Sequence, residues 1–181
     1  RAADPEGSLG RAVDAMRIAS QLGAPIALYK GKDRRSLIDL APRFLDATEG
    51  LGVTPVIQNH KASALSSLDD VREVIDTVKD PRLKVLLEVG HFLAVGTHWR
   101  EALPALERHV VYAHVKDLRD GESVLYGEGD ADLPGLFEAM HQRGYDGGYV
   151  VEIEGTLREE NVEANLARCV QYLKDQCVQP T

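Results

Sequence analysis

Two cysteines and a single tryptophan are all that this 181-residue chain contains of those residue types. Cys169 and Cys177 fall in one helical pattern, and at 1.5 Å rise per residue they stand ~12 Å apart, too far for a disulfide. A disulfide-stapled scaffold is therefore excluded, and two reduced thiols in a cytoplasmic protein are the expectation. No run approaches the ~20 apolar residues of a membrane span, and no signal peptide is visible, although Arg1 in place of an initiator Met points to a trimmed start. Basic excess is also missing. Lys and Arg number 21 against 29 Asp and Glu, a net charge of −8, which argues against the counterion displacement that nucleic-acid binding requires. Gly127-Glu128-Gly129-Asp130 lacks the Gly-Lys-Ser/Thr that would make it a nucleotide loop.

What remains is an ordinary globular composition, 44% hydrophobic and 28% charged, with no linker or low-complexity tract. The length suits one core, and residues 1–181 read as one domain. Along it, helical and extended patterns alternate. Ser8 precedes a helical run with apolar spacing at Ala12, Met16, Ile18, Ala19 and Leu22, closed by Gly23. A short strand over residues 25–29 precedes a second helical run from Leu37 to Leu51, in which Pro42 predicts a kink or break. Further strands are expected at 53–57, 84–87, 110–113 and 148–153. Helices are expected after Ser67, from about Trp99 to Glu107, after Asp132, and from Val162 through Leu173. The count is one leading helix and about five βα units. Apolar strands without polar alternation suit a parallel sheet covered on both faces.

Four of those strands end in polar groups: Gln58, Glu88, His114 and Glu152. A buried strand has little reason to close repeatedly on an amide, a carboxylate or an imidazole unless these converge. In (β/α) barrels the carboxyl ends of the strands form the reactive face. Two carboxylates, one imidazole and one amide make a donor set for a divalent metal. Five strands do not close an eight-stranded barrel of ~250 residues, and open parallel edges are a liability. The chain therefore reads as the C-terminal part of a (β/α)8 TIM barrel. The other strands would lie in an N-terminal half or come from a partner in a homo-oligomer.

The segments Val56-Ile57-Gln58-Asn59-His60, Glu88-Val89-Gly90-His91, His114-Val115-Lys116-Asp117, Gly127-Glu128-Gly129-Asp130 and Val150-Val151-Glu152-Ile153-Glu154 occur in an order that resembles the xylose-isomerase-like barrel superfamily. That superfamily holds sugar and sugar-phosphate isomerases and epimerases, several dehydratases and endonuclease IV. The resemblance implies one divalent ion (Mn, Mg, Co or Zn) held by Gln58, Glu88, His114 and Glu152. It implies Glu152 and His91 as catalytic residues, and His60, His91 and Lys116 as substrate contacts, with His91 alternatively helping to hold a second metal. Glu154 is expected on the same side as Glu152, one layer further out. The glycine-containing segment is expected to be a mobile loop covering the site.

Gln58 departs from the family pattern, which has a glutamate there. An amide oxygen can ligate a hard cation but brings no charge and takes no proton at neutral pH. The family's pair of proton-moving glutamates is thus reduced to Glu152. The leading expectation is a metal-dependent isomerase or epimerase acting on a small polyhydroxylated carbonyl compound. The alternatives are a dehydratase acting on a related polyol or keto acid, and a non-catalytic barrel that binds a sugar or a partner chain. Endonuclease activity is disfavoured by the absence of further zinc-ligating histidines.

Overall fold

The computed structural model describes residues 4–177, which form two compact units meeting in sequence at Leu86 and Leu87. The first contains α1 (Pro5–Gln21), β1 (Ile26–Leu28), α2 (Arg34–Thr48), β2 (Thr54–Gln58), α3 (Leu68–Val78) and the start of β3 (Lys84–Glu88). Helix α1 begins a turn earlier than Ser8 suggests. Asp4 is the capping residue, accepting from the Gly7 N–H at 2.9 Å, and Pro5 supplies a pre-set first turn. Ser8 instead turns its hydroxyl back onto the Asp4 carbonyl at 2.8 Å. Pro42 does not break α2. The helix keeps Leu37, Ala41, Phe44 and Leu45 buried on one face, and that burial outweighs one missing backbone bond.

The strands of this unit are parallel, with Ile26 opposite Thr54, Val56 opposite Lys84 and Gln58 opposite Leu86. Val56, Ile57 and Val85 are fully buried, as apolar strands of a helix-covered parallel sheet should be. Helix α3 carries a reciprocal capping box: the Ser67 hydroxyl accepts from Asp70 N–H, and the Asp70 carboxylate accepts from Ser67 N–H.

The last two residues of β3 open the second unit. After them come α4 (Val89–Ala94), α5 (Trp99–Leu106), β4 (Val110–Val115), β5 (Asp117–Arg119), β6 (Glu122–Val124), α6 (Leu133–Gln142), β7 (Gly148–Val151), α7 (Thr156–Glu159) and α8 (Val162–Cys177). Strands β4 and β7 pair in parallel, with Tyr112 opposite Gly148 and Val115 opposite Val151. Strands β5 and β6 form an antiparallel hairpin in what reads from sequence as a long loop. Three-residue strands are too short to show a period. The glycine segment that follows is tied down by Asp117, a buried carboxylate accepting from the N–H groups of Gly127, Gly129 and Ala131 at 2.9, 3.0 and 3.1 Å. A Cβ on Gly129 would fall 2.2 Å from Asp117 Oδ1, so only glycine admits that approach. Cys169 is buried and Cys177 exposed, both as free thiols. No helix among the described residues is long and apolar enough to cross a membrane.

Candidate active site

Each polar strand end emerges where the fold places it. Glu88 is the last residue of β3 and is followed immediately by α4, which carries the buried His91. His114 is the penultimate residue of β4. Glu152 directly follows β7, and its N–H continues the ladder to the Val115 carbonyl at 3.0 Å. Tyr126 tightens this junction. Its buried hydroxyl donates to the Val115 carbonyl and accepts from the Glu152 N–H at 3.0 Å.

Three side chains converge. His114 Nδ1 lies 3.0 Å from Glu88 Oε2 and 3.0 Å from Glu152 Oε2. Glu88 is fully buried, whereas the His114 and Glu152 side chains are 23% and 27% exposed, so the cluster has a buried floor and an open rim. Burial pushes the Glu88 carboxyl up to about 8, helped by the neighbouring Glu152 and opposed by the His114 hydrogen bond. For His114, burial works to lower the pKa, but hydrogen bonds and charge from Glu152 and Glu88 raise it to about 9. The His114 hydrogen bond, against burial and with help from Glu88 and Lys116, holds the Glu152 carboxyl well below the usual range.

Lys116 and Glu154 extend the cluster. The Lys116 side chain is only 1% exposed, and Nζ lies 3.3 Å from Glu152 Oε1 and 3.0 Å from Glu154 Oε2. His91 is likewise buried, at 2% exposure, and groups with Glu152 and Glu154. Of the residues singled out from sequence, the second unit thus gathers Glu88, His91, His114, Lys116 and Glu152. Glu154, expected one layer out, belongs to the same cluster. Gln58 and His60 stand in the first unit, where they line a cavity of about 260 Å³ together with Tyr29, Lys30 and Leu37. Sequence reasoning did not identify Tyr126 or Asp117 as supports. Their signal, a buried polar residue on a very short strand or loop, has no period to reveal it.

The donor set fits a metal. Glu88, His114 and Glu152 each offer one ligand atom, and these atoms all lie within 4.8 Å of one another. Around an ion with ligands at ~2.1 Å, donors at right angles stand ~3 Å apart, the spacing His114 Nδ1 keeps from both carboxylates. One imidazole and two carboxylates suit Zn, Mn or Co.

The profile describing the xylose isomerase-like TIM barrel matches residues 2–176. The chain belongs to that family. Two curated relatives resemble it over most of its length. The inosose dehydratase of Geobacillus thermodenitrificans is 22% identical over 78% of this chain and 54% of its own length. The L-ribulose-5-phosphate 3-epimerase UlaE of Escherichia coli K12 is 24% identical over 88% of this chain and 60% of its own. The chain thus spans little more than half the length of these relatives. Among solved structures, the IOLI protein with a bound zinc atom aligns at a TM-score of 0.74 and 18% identity, covering 93% of this chain and 68% of that one. The xylose isomerase-like α/β barrel fold is therefore that of this chain.

Proposed function

We propose that the chain carries the ion-binding and proton-moving groups of a cytoplasmic isomerase or epimerase for a small polyhydroxylated carbonyl compound. The observation that carries this reading is the convergence of Glu88, His114 and Glu152 through His114 Nδ1, 3.0 Å from each carboxylate. Glu88, His114 and Glu152 would hold one divalent ion, with zinc among the candidates given the bound zinc of the IOLI protein. A bound divalent ion polarises a substrate carbonyl and acidifies the neighbouring C–H. Glu152 is the group that takes and returns that proton. Its Oε1 is held by Lys116, its backbone is fixed by Tyr126, and its rim position gives it access to a substrate. His91 holds a substrate hydroxyl and Lys116 steadies the base. The proposed roles of Gln58 as a further ligand and His60 as a substrate contact rest on their place in the family's order of strand ends.

A dehydratase reading is favoured by one feature, the presence of Gln58 where the family pattern has its second proton-moving glutamate. Abstraction of a proton by Glu152 and its return to the departing β-hydroxyl, which leaves as water while the C=C bond forms, needs a single acid–base group, whereas inversion at carbon needs a second donor on the opposite face. The two relatives cover both outcomes.

The test is deuterium incorporation from solvent into candidate ketoses, ketose phosphates and inososes, read by mass spectrometry alongside metal content. The parent protein should exchange at least one of these substrates. Glu152→Gln should lose exchange by on the order of 10²-fold or more, and Gln58→Glu should bind the ion more tightly. Glu88→Ala and His114→Ala should lose the ion while staying folded. Undiminished exchange in Glu152→Gln would remove it as the base, and protein that takes up no divalent ion on titration would overturn the metal reading.

A further inference from the structure

The second unit contains two overlapping triads of ion-ligating side chains, Glu88–His114–Glu152 and His91–Glu152–Glu154, each with its donor atoms within 4.8 Å. Glu152 belongs to both. Donors alone would therefore describe a site for two cations bridged by one carboxylate. The second triad is not simply open, however. The ammonium of Lys116 lies 3.3 Å from Glu152 Oε1 and 3.0 Å from Glu154 Oε2, in a side chain 1% exposed.

The backbone around Lys116 is shaped to admit it. Gly90, between Glu88 and His91, faces the lysine stem. A Cβ there would fall 2.7, 2.8 and 3.0 Å from Lys116 Cβ, Cδ and Cγ. An alanine would displace the stem, so the glycine in Glu88-Val89-Gly90-His91 makes room for the lysine. Taking an ammonium out of water is costly unless opposite charges receive it, and Glu152 and Glu154 are those charges. The two oxygens of Glu152 are divided accordingly, Oε1 toward Lys116 and Oε2 toward His114.

We infer that Lys116 is the site's built-in second cation: a positioning residue that fills the His91–Glu152–Glu154 triad, limits the centre to one divalent ion, and aims Glu152 Oε2 at it. The charge count supports this. With the ion bound, Glu88, Glu152 and Glu154 as carboxylates balance one divalent cation plus one ammonium. A second divalent ion beside Lys116 would leave two uncompensated positive charges against the buried Lys116 and His91 side chains, and such an excess is disfavoured. Without the ammonium, one divalent ion leaves a carboxylate unbalanced, and the second triad becomes a cation site. This inference rests on the metal reading of the first triad and adds to it a limit on stoichiometry.

The experiment titrates metal-free full-length protein with Mn(II), reading stoichiometry by calorimetry and elemental analysis, and Mn–Mn coupling by electron paramagnetic resonance. The parent should bind about one ion per chain with an uncoupled spectrum, and Lys116→Met about two with coupling. Lys116→Arg should restore single occupancy, and Lys116→Met combined with Glu154→Gln should return to single occupancy by removing a donor of the second triad. Lys116→Gln carries the same expectation as Lys116→Met should the apolar head prevent folding. A folded Lys116→Met that binds as many ions as a single-ion parent overturns the inference while leaving the first triad standing, and so does a parent that binds two. A parent that binds none overturns both readings.

Discussion

Without an ion, burial biases Glu88 toward its protonated form, and the two carboxylates, against burial, bias His114 the same way. Burial first, and Glu152 beside it, puts the Glu88 carboxyl at about 8, while the two carboxylates, outweighing burial, put His114 at about 9. An ion needs Glu88 as a carboxylate and His114 as a neutral imidazole, so loading must expel those protons. Both groups bind protons more readily in the ion-free state, so apparent affinity should rise with pH up to about 8–9 and fall below it. Each of the two groups weakens binding on the order of tenfold per pH unit on the acid side of its pKa. Mn(II) titrations between about pH 6 and 9, with proton release followed in weakly buffered solution, check this. A flat affinity profile without proton release would mean that these groups do not ligate.

At the level of a single element, α3 shows how a local sequence signal becomes stability. Asp70 sits at the third position of the capping box, accepts from Ser66 and Ser67 N–H at 3.0 and 2.8 Å, and pairs with Arg34. Burial pushes its carboxyl pKa up, but the hydrogen bonds with Ser67 and Ser66 and the Arg34 charge prevail and lower it. A group depressed in the folded state stabilises fully above its unfolded pKa of ~3.9. That contribution is lost as pH falls through the lower folded value. Asp70→Ala should therefore cost ~1–2 kcal/mol at neutral pH, measured by urea unfolding. The difference from the parent should shrink below about pH 4, and a constant difference down to pH ~2 would exclude Asp70 as the linked group.

For the molecule as a whole, the strand edges matter most. Strand β1 pairs only with β2, and β7 pairs only with β4, among the described residues. Leu28 on β1 and Val150 on β7 are 39% and 36% exposed. Unpaired parallel edges bearing apolar side chains recruit other strands. Expressed as these 181 residues alone, the chain should associate, with light scattering reporting species above monomer mass that grow with concentration. A stable monomer at high concentration would show that these edges are self-sufficient. The same argument makes the expected N-terminal half, or a second copy, the natural cover for them.

Much of this architecture is legible in the sequence because it is local. Alternating helical and extended periods, Ser67 and Asp132 at helix starts, and apolar runs with polar last residues follow from backbone geometry and solvation, which neighbouring residues control. They single out Gln58, Glu88, His114 and Glu152 alike as polar strand ends. Where the expectation failed, the cause was a competing local contact, as with Asp4 displacing Ser8 at the cap of α1, or an element too short to have a period, as with α4 and the β5–β6 hairpin. Only the tertiary structure decided what these groups do to one another. That His114 Nδ1 faces two carboxylates, that Glu88 is driven toward its neutral form, and that Lys116 is buried over Gly90 between Glu152 and Glu154 depend on residues from separate elements meeting within ~3 Å. The strand-end pattern brings such groups to one end of the sheet, but it does not fix their distances or charge states, because electrostatic energies are set by separation in space and by exclusion of water.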